Sequence, residues 1–112
     1  RRGGRRSAAA GGEGSEAVVA ETVQAFITTM DALKINMTSV DSVHPLLSDL
    51  VQSLNKLAFL PRDFDGREKT KQWLTQLNQM RASDQLTDEQ TRQLLFDLES
   101  GYNAVIACLR GR

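Results

Sequence analysis

Apolar side chains recur at alternating intervals of four and three along four stretches of this 112-residue chain. The first stripe is Val19, Val23, Phe26, Met30, Leu33, Met37 and Val40, and the second is Val43, Leu47, Leu50, Leu54 and Leu57. The third is Trp73, Leu77 and Met80, and the fourth is Leu94, Leu98, Tyr102, Val105 and Leu109. This spacing lays one apolar seam along one side of an α-helix, which must be covered by partners. Links of a few residues make chain neighbours antiparallel, so the pattern predicts an all-α fold, an antiparallel up-down-up-down four-helix bundle with the fourth helix closing on the first.

Boundary residues refine the four spans. The first helix is expected from about Ser15, a hydroxyl cap followed by Glu16 at the positive end of the helix dipole, to about Ser39. The second begins near Val43 or Pro45, with proline in the first turn, and stops before Pro61. Asp65 and Glu68 read as a capping pair for the third, which has Gly66 in its first turn and ends near Ala82 or Ser83. Thr87 and Gln90 form a capping box for the fourth, which runs to about Arg110.

Composition adds size and compartment. One domain of this length can bury a core: about twenty apolar side chains at roughly 1.5 to 3 kcal/mol each compete with chain entropy without a metal or disulfide. Cys108 is the one cysteine, which rules out an intramolecular disulfide and points to a reducing, cytoplasmic setting. No apolar run reaches the roughly 18 residues that span a bilayer, so membrane contact is expected only indirectly.

The net charge of zero averages two unlike parts. Residues 1–16 are expected to be a disordered leader or linker, rich in Gly and Ala and carrying Arg1, Arg2, Arg5 and Arg6 with Glu13 and Glu16. Residues 17–112, the expected bundle domain, keep ten basic and twelve acidic groups. A mildly acidic domain argues against a nucleic-acid groove, which needs a clustered basic face.

The chain is poor in catalytic chemistry. His44 is its only imidazole, with no cysteine or second histidine at metal spacing and no serine in a nucleophile motif, and reads as structural or solvated. Asp63, Phe64, Asp65 and Gly66 begin like a calcium loop, but Arg67 and Lys69 stand where oxygen ligands would continue. Asn36, Met37 and Thr38 satisfy the glycosylation triplet inside a predicted helix, with Met37 on the seam. Asp97 and Glu99 point to different sides of a helix and read as solvated charges. No catalytic, cofactor-binding or metal-binding residue is assigned, and the reading is non-enzymatic.

The exposed faces are more informative. At about 100° per residue, Phe96 lies about 160° from Leu98, with Arg92, Glu99 and Asn103 on its flank. Ile35 lies about 140° from Met30 on the first helix, with Thr28 and Asp31 nearby. If the first and fourth helices are antiparallel neighbours, Ile35 and Phe96 stand at similar heights. An apolar pair rimmed by polar groups is how a partner-binding patch looks, so Thr28, Asp31, Ile35, Arg92, Phe96, Glu99 and Asn103 are the candidate partner-binding residues.

Four segments carry a resemblance over roughly residues 17 to 110. They are Phe26-Ile27-Thr28-Thr29-Met30-Asp31-Ala32-Leu33-Lys34, Leu60-Pro61-Arg62-Asp63-Phe64-Asp65-Gly66, Gln72-Trp73-Leu74, and Leu94-Leu95-Phe96-Asp97-Leu98-Glu99-Ser100-Gly101-Tyr102-Asn103. In order and separation they resemble the C-terminal domain of the vacuolar protein sorting-associated protein 28 family, a subunit of ESCRT-I. The resemblance implies a four-helix-bundle adaptor in endosomal sorting of ubiquitinated cargo into multivesicular bodies, cytoplasmic and recruited to the endosome membrane as part of a complex. The implied partners are ESCRT-II, through its vacuolar protein sorting 36 subunit, and the rest of ESCRT-I through an N-terminal region that this chain lacks. The isolated domain is expected to be a monomer; the alternative is a structural or oligomerising module of a larger assembly. The arginine-bearing leader has no counterpart in this resemblance. The family's usual alanine is Gly101 here, which weakens a helix by about 0.5 to 1 kcal/mol unless close packing uses it.

Overall fold

The computed structural model describes residues 16–111. They form α1 (Glu16–Lys34), α2 (Val40–Lys56), α3 (Asp65–Asn78) and α4 (Asp88–Arg110), with a single Ser39–Gln85 bridge and no strands among the described residues. Each helix packs on its chain neighbours and α4 closes on α1, while the two diagonal pairs make no close backbone approach. This is the expected up-down-up-down ring. Phe26, Val43, Leu47, Leu50, Leu54, Leu77, Leu94, Leu98 and Val105 form its nearly dry centre.

The α2 stripe is buried as expected from Val43 to Leu57, and so are Trp73, Leu77, Leu94, Leu98 and Val105. The α1 seam is rotated from its expected line. Its buried face is Val18, Thr22, Phe26, Thr29, Met30, Ala32 and Leu33, with Val19 and Val23 only half-buried. Two threonines enter the core because their hydroxyls bond within the helix: Thr22 donates to the Val18 carbonyl at 2.8 Å and Thr29 to that of Ala25 at 2.7 Å.

Helix α1 stops five residues before the expected Ser39. Asn36 takes a left-handed φ of 67° and turns the chain out of the helix. The Asn36 amide donates to the Leu33 carbonyl at 3.2 Å and the Met37 amide to that of Ala32 at 2.9 Å, the paired bonds of a Schellman ending. The Ser15 cap and the leader lie outside the described residues. Met37 leaves the seam and is exposed, whereas Val40 is buried as the first residue of α2.

Helix α2 therefore begins at Val40, earlier than expected, and Pro45 falls in its second turn, where it is tolerated at the cost of one backbone donor. The N-cap, Ser39, makes no side-chain cap bond. The opposite link supplies the acceptors instead: the Val40 amide donates to the Asp84 carbonyl and the Asp41 amide to that of Ala82. The Leu86 amide in turn donates to the Thr38 carbonyl at 2.9 Å, and the Thr38 hydroxyl to the Gln85 side chain at 2.8 Å. The α1–α2 and α3–α4 links are thus laced together at one end of the bundle.

The expected Asp65–Glu68 capping pair does not form. Phe64 is the N-cap of α3, without a side-chain cap bond, and Asp65 is the first helical residue, 3.5 Å from the Lys69 ammonium. The helix ends at Asn78, short of Ala82, because the chain turns through Met80 to Asp84. The α2–α3 link is core rather than connector: Leu57, Leu60 and Phe64 are buried, and the Arg67 guanidinium donates to the carbonyls of Pro61 and Arg62. The Thr87–Gln90 capping box of α4 forms in both directions, at 2.8 and 3.0 Å, and α4 ends at Arg110 as expected.

Candidate functional site

Four large hydrophobic side chains are exposed among the described residues: Ile27 at 45 %, Ile35 at 68 %, Met37 at 44 % and Phe96 at 61 %. All four lie on α1, the corner that follows it, or α4. Helices α2 and α3 expose none of comparable size. The exposure of Ile35 and Phe96 matches the sequence expectation, while Ile27 and Met37 are additions. Met37 was hidden from the sequence reading by the assumption that α1 continued; Ile27 stood one residue from the seam and could have been found by asking how wide that seam is.

Contacts between helices fix which side of each helix these residues occupy. On α4, Tyr102 marks the α1 side, its ring meeting Phe26 edge-on at 5.8 Å between centroids. Asp97 marks the α3 side, accepting from the Trp73 indole at 2.9 Å and lying 3.8 Å from the Lys69 ammonium. At about 100° per residue, Phe96 points to the back of α4, and Arg92, Glu99 and Asn103 fall between it and the α1 side. On α1, Ala25 lines a groove against α2, so Ile27 and Asp31 belong to the opposite flank, toward α4. Thr28 lines that groove and also shares a shallow apolar pocket with Ile27, so it sits on the outer ridge of α1 between the two flanks.

Heights follow from the same anchor. Counting from the Phe26–Tyr102 contact at about 1.5 Å per residue, Ile35 stands roughly 13 Å and Phe96 roughly 9 Å toward the laced end. The structure therefore places Asp31, Ile35, Arg92, Phe96 and Glu99 toward the laced end, with Ile27 and Asn103 near the level of the Phe26–Tyr102 contact; Asp31, Arg92, Glu99 and Asn103 lie on the flanks where α1 and α4 adjoin, and Ile35 and Phe96 on the outer backs of their helices. All are exposed, as is Thr28. Among the described residues, Asp31, Arg92 and Glu99 take no part in an ion pair. The surface offers apolar protrusions between unpaired charges of both signs, a combination suited to gripping another macromolecule.

Two sequence readings of polar residues separate here. Asp97 is not a solvated charge: its side chain is only 11 % exposed, and it accepts from Gln93 at 3.0 Å as well as from Trp73. It faces α3, where a buried indole N–H requires an acceptor. His44 is structural, its Nε2 2.8 Å from Asn78 Oδ1 across the α2–α3 contact. No group of three or more metal-ligating side chains occurs among the described residues, and no described helix is long and apolar enough to cross a membrane.

The fold and this outer surface define a small all-α bundle domain that keeps its hydrophobic seams inside and a few large apolar side chains outside on one flank. The chain belongs to the VPS28 protein family, whose model matches residues 4–109, and its bundle is that family's C-terminal domain. The match takes in most of the leader, for which the sequence reading found no counterpart. Vacuolar protein sorting-associated protein 28 homolog 1 of Arabidopsis thaliana is 59 % identical over 105 residues, covering 94 % of this chain and 50 % of that protein. The Saccharomyces cerevisiae protein is 44 % identical over 91 residues, covering 81 % of this chain and 37 % of that one. The chain spans about half the length of the Arabidopsis relatives. A crystal structure of the C-terminus of yeast ESCRT-I Vps28 superposes with a TM-score of 0.77 at 42 % identity, covering 83 % of this chain and 92 % of that one. A second structure, of the C-terminal domain of Vps28, gives the same score and identity and is covered to 97 %.

Proposed function

We propose that this domain is a non-enzymatic adaptor of ESCRT-I that recruits ESCRT-II, through its vacuolar protein sorting 36 subunit, in sorting ubiquitinated cargo into multivesicular bodies. The domain works in the cytoplasm and reaches the endosome membrane as part of the complex; the adaptor is the bundle, which begins at Glu16 rather than at the expected residue 17. The observation that carries this reading is the confinement of large exposed hydrophobic side chains to α1, its corner and α4 in a member of the VPS28 family. A monomeric domain has no internal reason to leave Phe96 and Ile35 in water on the same half of two adjoining helices, whereas a docking site needs apolar anchors inside a polar rim. Phe96 and Ile35 are the anchors, and Asp31, Arg92, Glu99 and Asn103 orient the partner, with Ile27 extending the site and Thr28 at its edge.

The test is a calorimetric titration of the vacuolar protein sorting 36 subunit with the chain and with the Ile35→Asp/Phe96→Asp double variant. Both positions are already in water, so the melting temperature should hold while affinity falls at least tenfold, about 1.4 kcal/mol. Equal affinity with an intact melt would remove this face from consideration.

A further inference from the structure

Among the described residues Arg67 is the one charged side chain that the bundle buries, with 9 % of its surface exposed, and it makes no ion pair with them. A buried charge is ordinarily matched by an opposite one, because removing it from water is costly. Only part of the guanidinium is used. Nη1 donates to the carbonyls of Pro61 and Arg62 at 3.1 and 3.2 Å, which fastens the α2–α3 link to the first turn of α3. Nε is the one buried side-chain polar atom without a hydrogen-bond partner among the described residues. Nη2 makes no hydrogen bond to them either, and it is not sealed from solvent. Nε–H and Nη2–H form the edge of a guanidinium that matches two oxygens of a carboxylate or phosphate in parallel.

We propose that this free edge of Arg67 is a binding site for a small oxyanion, a carboxylate or a phosphate, at the α2–α3 end of the bundle. Local charge favours an anion there. Residues 61–71 carry Arg62, Arg67, Lys69 and Lys71 against Asp63, Asp65 and Glu68, in a domain that is mildly acidic as a whole. Asp65 and Glu68 lie 3.5 and 4.0 Å from the ammonium groups of Lys69 and Lys71. The charges left unpaired are therefore Arg62 and Arg67 against Asp63, which is exposed and makes no ion pair with the described residues. The helix adds to the field. Arg67 stands in the first turn of α3, at the positive end of its dipole, where the N-cap Phe64 supplies no side-chain cap bond. An oxyanion on Nε and Nη2 meets the orphaned donor and neutralises the buried charge at once. Pro61, Arg62 and Asp63 are exposed, so it approaches past the link rather than through the core. The site lies at the opposite end of the bundle from Ile35 and Phe96 and does not depend on the docking reading.

The experiment follows the Arg67 Nε–H resonance of the isotope-labelled chain during titration with sodium phosphate and, separately, sodium acetate, chloride being exchanged out so that ionic strength stays constant. Arg67 Nε–H and the amides of Phe64 and Asp65 should move together and saturate, and the melting temperature should rise with the same anion. The anion that saturates first assigns the ligand's oxygens to a phosphoryl group or to a carboxylate. Arg67→Lys keeps the charge but loses the fork and should abolish saturation, whereas Arg62→Gln should preserve it. An Arg67 Nε–H that neither anion moves overturns the proposal and leaves that donor to water. This result comes from the parent chain alone, so it decides the matter even where Arg67→Lys fails to fold. A response that never saturates, persists in Arg67→Lys or is lost in Arg62→Gln also overturns it, because the anion then sits on exposed cations.

Discussion

Asn36 holds a backbone conformation that most side chains resist. Its φ of 67° costs a β-branched residue about 1 to 2 kcal/mol, whereas Asn tolerates it and Gly adopts it freely. Asn36→Val should therefore lower stability by about that amount and Asn36→Gly should leave it level or slightly higher, read from urea midpoints at constant slope. Asp97 is held by a different need. It is the acceptor for the Trp73 indole, which is buried apart from 9 % of its surface, and it also takes the Gln93 amide. Asp97→Ala strands that N–H and should cost about 1 to 3 kcal/mol, while Asp97→Asn keeps an acceptor and should cost less. Neither role could be read from composition or spacing. A left-handed asparagine leaves the heptad-like pattern unbroken through Met37 and Val40, and the demand on Asp97 comes from a tryptophan on another helix.

Helices α3 and α4 meet closely where both present a glycine. Gly66, near the start of α3, and Gly101, in the middle of α4, face each other. A Cβ on Gly66 would lie 2.7 Å from a Phe64 ring carbon and 3.2 Å from the Gly101 Cα; one on Gly101 would meet the Phe26 ring at 3.4 Å. The two substitutions should therefore diverge. Gly66→Ala forces a buried ring and a backbone apart and should destabilise by about 1 to 3 kcal/mol. Gly101→Ala makes an ordinary contact, gains helix propensity and should stabilise by up to about 1 kcal/mol in thermal melts, so close packing tolerates Gly101 without requiring it. Helix identity, the α2 seam and the Thr87–Gln90 box were legible because each depends on residues within two turns of one another. Other features depend on distant segments: the start of α2 is satisfied by carbonyls of the 82–84 turn, and Leu60 and Phe64 enter the core because α2 and α3 close over their link. On the candidate face, solvent exposure of all seven residues was readable from the wheel, but the place of Thr28 on the ridge beside the α2 groove required knowing which flank of α1 meets α2.

At the scale of the whole molecule, ring closure and the laced links make the four helices one cooperative unit. Each helix buries its seam against two neighbours, and the 38–41 and 82–86 segments exchange backbone bonds at one end, so no helix can leave without opening the core to water. Trp73, the one tryptophan, reports on the α3–α4 contact, whereas far-ultraviolet dichroism reports on all four helices. The two signals should trace a single urea transition with the same midpoint. A tryptophan transition preceding the dichroism would show α3 detaching first and would contradict the ring as a unit. The same cooperativity separates inside from outside. Leu50→Ala removes a side chain with no exposure and should lower the common midpoint by the equivalent of about 2 to 5 kcal/mol, a large share of the roughly 5 to 15 kcal/mol available to such a domain. Phe96→Ala removes a larger side chain that is already 61 % exposed and should leave the midpoint nearly unchanged. A hydrophobic residue whose loss is felt by neither the core nor the melt is free to be used on a partner, which is the physical basis for the proposal that α1 and α4 carry recognition.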